Sequence, residues 1–170
     1  EADLYRVAEG ATTGSEAQSF RKADFGALEV VQAAMNSGGR FSGKTTGLDT
    51  INDKTSGLHN SDLVILAGRP AMGKTSLATN IAWNIASSYE PEVMPDGTIE
   101  AKQGGVVAFY SLEMSGEQLA TRIISEQTEV SSSKIRRGDI TEADFDKLVA
   151  CSQTMQKVPL YIDQTGGISI

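Results

Sequence analysis

The chain has 170 residues, 39 % of them apolar and 22 % charged, an ordinary balance for one globular domain with some additional chain. Its net charge of −7 excludes a surface that coats nucleic acid along its length, though not contact with a polynucleotide at one small site such as the pore of a ring. No apolar run approaches a membrane span and no charged-then-apolar leader opens the chain, while Glu1 at the start and "GGISI" at the end give the expectation of a segment cut from a longer protein.

Residues 1 to 9 carry a short helical pattern through Leu4, Tyr5 and Ala8, and the polar "GATTGSEAQS" that follows is a flexible connection. From Asp24 to about Met35 the apolar positions Phe25, Leu28, Val31 and Met35 recur at helical spacing, and "NSGGR" ends that helix. Its stripe has no nearby element to rest on, so it packs either on the following domain or on another subunit. "TGLDTINDKTSGLHNSD" predicts a surface-like approach to the core, with the lone His59 at the surface.

"DLVILAG" is an apolar run bounded by turn signals and followed at once by a helical pattern, the signature of a buried parallel strand. Leu77, Ala78, Ile81, Ala82 and Ile85 make one face of the next helix. "PDG" between "EVM" and "TIE" predicts a small surface hairpin within about residues 90–105. "GVVAFYSL" is the second core strand, and Ser115 with Gln118 forms a capping box before a helix carrying Leu119, Ile123 and Ile124. Ser131 to Arg137, closed by Gly138, predicts a helix of one or two turns. Thr141 with Asp144 caps another, with Phe145, Leu148, Val149 and Met155 on one side. On its flank lies Cys151, a small half-buried hydrophobe, with no paired base to make it a nucleophile. As the sole cysteine it forms no internal disulfide, in keeping with a reducing cytoplasm. "VPLYID" is a third strand. Strands alternating with helices imply an α/β domain with a parallel sheet. Three strands are few for a sheet that needs both faces covered, so the domain is expected to be incomplete.

The segment that carries chemistry is Gly68-Arg69-Pro70-Ala71-Met72-Gly73-Lys74-Thr75, followed by Ser76. It matches G-x-x-x-x-G-K-[ST] in full, between an apolar strand pattern and an amphipathic helix. Gly68 and Gly73 let the backbone curl around an anion so that successive N–H groups and the helix N-terminus point inward. Lys74 reaches the β and γ phosphates of a nucleotide, and the Thr75 hydroxyl is placed to ligate Mg²⁺. Each hydrogen bond to a charged group contributes roughly 1.5–3 kcal/mol, and a handful of them gives micromolar binding, about −8 kcal/mol. The alternative, a chance glycine loop, does not account for the flanking pattern.

Hydrolysis needs more than binding: a group to position water, and groups to stabilise developing charge. Loops at the carboxyl ends of parallel strands converge on a bound nucleotide, which singles out two acids. Glu113 follows "VVAFYSL" and could orient the attacking water, or be an ordinary surface acid in a β–α loop. Asp163 closes "LYID", the shape of a Walker B strand, whose acid holds Mg²⁺ through water. Arg122, Arg136 and Arg137 are possible nucleic-acid contacts, but Arg136 and Arg137 end a short helix and complement its dipole without any nucleic acid.

In order and spacing, "GLHNSDLVILAGRPAMGKTSLATNIAWNIA", "FYSLEMSGEQLATRI", "SSSKIRRGDIT" and "PLYIDQTGGISI" resemble the motor domain of the bacterial replicative DNA helicase of DnaB type. The similarity covers about residues 46–170, and more loosely the preceding helix, which is similar to that family's inter-domain linker. The resemblance implies a RecA-like P-loop NTPase fold, here its N-terminal half, after a linker region over 1–45 with a docking helix at about 24–36. It implies an ATP-dependent helicase that forms a homo-hexameric ring with ATP and Mg²⁺ sites between subunits. Such a ring acts on single-stranded or forked DNA with a primase and a helicase loader, in the cytoplasm. The family's Walker A maps to Gly68 through Thr75, and its catalytic glutamate to Glu113. Asp163 loses its claim as a magnesium ligand, because the family's Walker B acid lies on a later strand. Gln164 stands where the family often has a second Asp. Another RecA-like ATPase such as a recombinase, or a nucleotide-binding module without turnover, is the alternative. Residues 1–170 alone are expected to bind nucleotide with negligible hydrolysis.

Overall fold

A computed structural model describes residues 19–36 and 43–165, and the helical pattern at 1–9 lies outside them. The chain divides into two compact units, residues 1–42 and 43–170. In the first, helix α1 spans Phe20–Asn36, starting ahead of the expected Asp24. Its Phe25, Leu28, Val31 and Met35 are all exposed.

The second unit opens with an antiparallel bridge between Lys44 and Leu58 that brackets helix α2, Asp49–Thr55. This approach is not the surface segment its polar composition suggests. Asn52 and Thr46 are among the most buried residues of the unit. Asn52 Oδ1 accepts from the Thr46 amide at 2.9 Å and from its hydroxyl at 2.7 Å, and Asn52 Nδ2 donates to Thr45 Oγ1 at 2.8 Å. Asn84 then donates to the Thr46 carbonyl at 3.0 Å, which ties the approach to the helix that carries the phosphate-loop motif. Gly47, at φ +76°, passes so close to the Asn84 amide that any Cβ would collide with it.

Helix α3, Lys74–Ser87, buries Thr79, Ala82, Trp83 and Ala86, while the predicted face residues Leu77, Ala78, Ile81 and Ile85 are half-buried around it. The expected hairpin follows as strands β1, Glu90–Val93, and β2, Ile99–Gln103, paired antiparallel. Its turn is closed by Asp96 Oδ1, which accepts from the Thr98 amide and hydroxyl, and by Gly97 at φ +85°.

Strand β3, Val107–Tyr110, pairs in parallel with β4, Leu160–Asp163. Between them run α4, Gly116–Thr128, α5, Ser132–Arg137, and α6, Glu142–Met155. Both predicted capping boxes form: Ser115 with Gln118 starts α4, and Thr141 with Asp144 starts α6. Gly138 closes α5 in the left-handed conformation. The α4 stripe supplies the deepest apolar burial, with Leu119 and Ile123 only 1 % and 2 % exposed. Each is worth roughly 1.5–3 kcal/mol of transfer free energy. This helix packs against α3, α5 and α6, and α3 lies on β3 and β4. Phe145 and Val149 of α6 remain exposed, and Cys151 is half-buried, its thiol 3.5 Å from Met155 Sδ.

One strand expectation fails. Residues 62–69 have no regular structure, and Leu63, Val64 and Ile65 are 87 %, 62 % and 80 % exposed. A strand exists only through a neighbour's hydrogen-bond ladder. Among the described residues β3 and β4 pair with each other, and no strand pairs with this run. The parallel sheet therefore has two strands where three were expected. One face of it, Val107, Phe109, Leu160 and Ile162, is half-buried, while Ala108, Tyr110 and Tyr161 face outward.

Candidate functional site

The phosphate-loop motif runs directly into α3. Gly73 is the residue ahead of the helix, at φ 84° and ψ 17°, with no side-chain cap. Ala71, two residues earlier, is also left-handed at φ 62°. Alternation of hand between neighbouring residues curls a backbone into a concave nest of amides. The first helical bond is from the Leu77 amide to the Gly73 carbonyl at 2.9 Å. The amides of Lys74, Thr75 and Ser76 lie before it, where α-helical geometry supplies no acceptor. Within the loop the Met72 amide donates to the Arg69 carbonyl at 3.3 Å. Lys74 folds back across the loop and donates from Nζ to the Gly68 carbonyl at 3.1 Å. A Cβ on Gly73 would meet no atom within 4 Å, so the space beside it is open.

These features fit a polyphosphate. The first turn of α3 holds no acidic residue, and the sole ion pair found among the described residues is between His59 and Asp62. Among the described residues no carboxylate pairs with Arg69 or Lys74, in a chain whose net charge is −7. Thr75 is bonded through its carbonyl, which accepts from Thr79 Oγ1 at 2.6 Å. Its own hydroxyl makes no hydrogen bond among the described residues, which leaves it available as a ligand. No group of three or more His, Cys, Asp or Glu side chains gathers around a metal position among the described residues. That is compatible with Mg²⁺, which is commonly held by one or two protein oxygens together with substrate phosphates and water.

Glu113 is exposed in the turn between β3 and α4. Ser111 anchors the near end of that turn: its amide donates to the Asp163 carbonyl at 2.8 Å, and its hydroxyl donates to the Met114 carbonyl at 2.6 Å. At the far end the Gly116 amide, the first of α4, donates to Gln164 Oε1 at 2.7 Å. Both anchors come from the exit of β4. Gln164 therefore has a definite task, as an acceptor at a helix start, that its sequence position did not disclose. Asp163 closes a local turn, with Oδ1 accepting from the Thr165 amide at 2.8 Å and hydroxyl at 2.6 Å. Those two bonds lower its carboxyl below the ordinary value of 3.8.

Arg122 had no clear function from sequence. Its Nη1 donates to Ser76 Oγ at 2.8 Å, joining α4 to the first turn of α3. Arg137 instead bonds its own helix, Nε to the Ser133 carbonyl at 3.3 Å, and three basic residues close α5, in line with the helix-dipole account.

Residues 43–170 match the family model for the DnaB-like helicase C terminal domain. A replicative DNA helicase DnaB of Rickettsia conorii is 36 % identical over 173 residues, covering 100 % of this chain and 34 % of the relative. Its counterpart from Synechocystis sp. is 39 % identical over 128 residues, covering 75 % of this chain and 13 % of the relative. Among solved structures, one described as an ATPase domain superposes with a TM-score of 0.73 at 25 % identity, over 91 % of this chain and 49 % of that one. A DnaB-like replicative helicase, described with its interactions with primase, gives a TM-score of 0.66 at 24 % identity over 99 % of this chain and 36 % of that one, a likeness of fold. The chain thus spans about a third of the length of the Rickettsia relative, and its second unit has the α/β fold of a partial RecA-like ATPase domain. No helix among the described residues is long and apolar enough to cross a membrane. By the extent of that family match, the chain belongs to the DnaB-like helicase C-terminal domain family.

Proposed function

We propose that this chain is the nucleotide-binding part of the motor of an ATP-driven replicative DNA helicase. The observation that carries the reading is the loop from Gly68 to Ser76: left-handed Ala71 and Gly73, free first-turn amides, and Lys74 across the mouth. The amides and the α3 dipole hold phosphate oxygens, and Lys74 neutralises charge on the β and γ groups. Thr75 Oγ1 offers a ligand to Mg²⁺, which when bound neutralises charge that builds on the phosphate oxygens. Glu113 orients the attacking water and takes its proton.

The domain division follows the same reading. Residues 1–45 form a linker region whose helix, through Phe25, Leu28, Val31 and Met35, docks on a neighbouring motor domain. Residues 46–170 form the N-terminal part of the ATPase. The whole protein is a homo-hexamer in the cytoplasm that unwinds forked DNA and works with a primase and a loader. Family membership and the primase named with one structural neighbour support these assignments. Residues 1–170 alone bind ATP or ADP with Mg²⁺ and turn over negligibly, since ATP sites between subunits take groups needed for hydrolysis from an adjacent protomer.

The test is Glu113→Gln in the full-length protein. Nucleotide affinity stays within about threefold, while ATPase falls by about 10²–10⁴, the usual worth of a general base. Retained ATPase would remove Glu113 from this role. Absence of nucleotide binding by the unaltered protein, measured by calorimetry, would remove the site itself.

A further inference from the structure

Arg122 stands in an electrostatically unfavourable place. The N-terminal end of α3 carries the positive end of the helix dipole, Lys74 begins the helix, and its first turn holds no acid. A guanidinium bonded to Ser76 Oγ at 2.8 Å adds a further cation at that end. No ion pair compensates it among the described residues. Stability does not account for the arrangement either. The bond is exposed, and α4 is already fixed by Leu119 and Ile123, the latter adjacent to Arg122. A local conflict of this kind, without compensation among the described residues, is expected where a ligand supplies the missing charge.

The consequence of the contact lies at the other end of α4. Glu113 sits three residues ahead of Gly116, the first residue of that helix. Its turn is held to the β4 exit at Ser111 and Gly116. Among the side-chain hydrogen bonds of the described residues, Arg122 to Ser76 joins the helix behind Glu113 directly to the helix behind the phosphate loop. We propose that Arg122 is a positioning residue: it registers α4, and with it the Glu113 turn, against the phosphate loop, and it does so most firmly when phosphate charge fills the loop. The proposal rests on the nucleotide-site reading above. It adds that the registration is carried by one charged hydrogen bond from the Glu113-bearing segment to the residue that follows Thr75.

The experiment uses the full-length protein, with Kd for a fluorescent ATP analogue and Mg²⁺ measured beside steady-state kcat and KM. The variants are Arg122→Gln, Arg122→Lys, Ser76→Ala and the double variant Arg122→Gln with Ser76→Ala. Misplacement of a catalytic group by about 1 Å costs on the order of 10²-fold. Arg122→Gln is therefore expected to lower kcat by about 10- to 100-fold. Because a cation that phosphate charge compensates also favours phosphate binding, Kd weakens as well, by a smaller factor than kcat falls. Arg122→Lys, which keeps the charge, recovers part of the loss. The double variant is no slower than Arg122→Gln, because both changes remove the same contact. A kcat for Arg122→Gln within about twofold of the parent overturns the proposal. So does a loss confined to Kd and KM, or a double variant whose loss is the product of the two single ones. Should Arg122→Gln fail to fold, Arg122→Lys decides: kcat reduced at least about threefold at unchanged Kd is expected, and a parental kcat overturns it. A parent protein that binds no nucleotide overturns the site reading and this proposal together, whereas the other adverse results leave that reading intact.

Discussion

Replacing Gly73 by Ala isolates what the phosphate loop requires of its backbone. Gly73 has φ 84° and ψ 17° immediately before α3, and a Cβ there would touch no atom within 4 Å. No steric clash arises, so the whole cost is that of the left-handed conformation for an L-residue, about 1–2 kcal/mol. The domain can escape that cost without unfolding. Gly73 is exposed, while α3 is held by Thr79, Ala82, Trp83 and Ala86 further along, so the loop can relax to negative φ and lose its concave shape. The penalty therefore falls on nucleotide binding: about 1–2 kcal/mol corresponds to a Kd weakened by about 5- to 30-fold. Melting of the free protein should move little, because losing glycine also restricts the unfolded chain by about 0.4–1 kcal/mol. Calorimetric titration with Mg-ADP, alongside thermal melting, separates the two effects. Ala71→Gly is the companion variant: Ala71 is already left-handed at φ 62°, so glycine there relieves strain and should leave Kd unchanged or tighter. A Gly73→Ala protein that binds Mg-ADP as the parent does would refute the claim that the left-handed residue shapes the cradle.

Three further outcomes follow from the same structure. Asn52→Ala leaves the buried Thr46 amide without its 2.9 Å acceptor, which costs about 1–3 kcal/mol and lowers Tm by roughly 2–4 °C for each of them; an unchanged denaturation midpoint would contradict it. Asp144, capping α6, is held below its ordinary value of 3.8 by hydrogen bonding from Thr141 and, less strongly, by Lys147 and Lys134. A depressed folded-state value stabilises above the unfolded value and loses that contribution as pH falls through the folded one, so the gap in Tm between parent and Asp144→Asn should close on acidification below about pH 4; a gap that stays constant through that acidification would be the contrary result. Leu28→Asp with Val31→Asp places charge on the exposed stripe of α1 and should weaken ring assembly of the full-length protein, unless sedimentation is unchanged, in which case the helix does not dock through that face.

Elements with a local cause could be read from the chain before any coordinates. Ser115 with Gln118 and Thr141 with Asp144 form reciprocal hydrogen bonds within one short segment each, and such closed local circuits need no tertiary partner to be predictable. Gly138 in the left-handed conformation after α5 and the turn at Asp96 and Gly97 belong to the same class. The phosphate loop was legible for a related reason. Its shape comes from glycine at Gly73 and from the start of α3, both written in the motif, whereas left-handed Ala71 is a strain that no residue preference announces.

What escaped the sequence reading depended on distant partners. "LVIL" has the composition of a central strand, yet strand formation is a property of a pair, and among the described residues no strand pairs with these largely exposed residues. Thr46 and Asn52 failed in the opposite sense: polar residues in a polar stretch look like surface until Asn84, 38 positions beyond Thr46, completes their network. Arg122 and Gln164 are the functional counterparts of that error. Each makes a hydrogen bond across a long stretch of chain, to Ser76 and to the Gly116 amide, and although both lie within segments that carry the family resemblance, nothing in those segments names the partner. The helix that follows the acid singled out for chemistry is thus tied down by two side chains whose partners no local pattern identifies. A motif can name the groups that touch a nucleotide, because their spacing is set by the ligand. The groups that fix the start and the flank of α4 are set by how α3, α4 and β4 meet, and that information is spread over the whole fold.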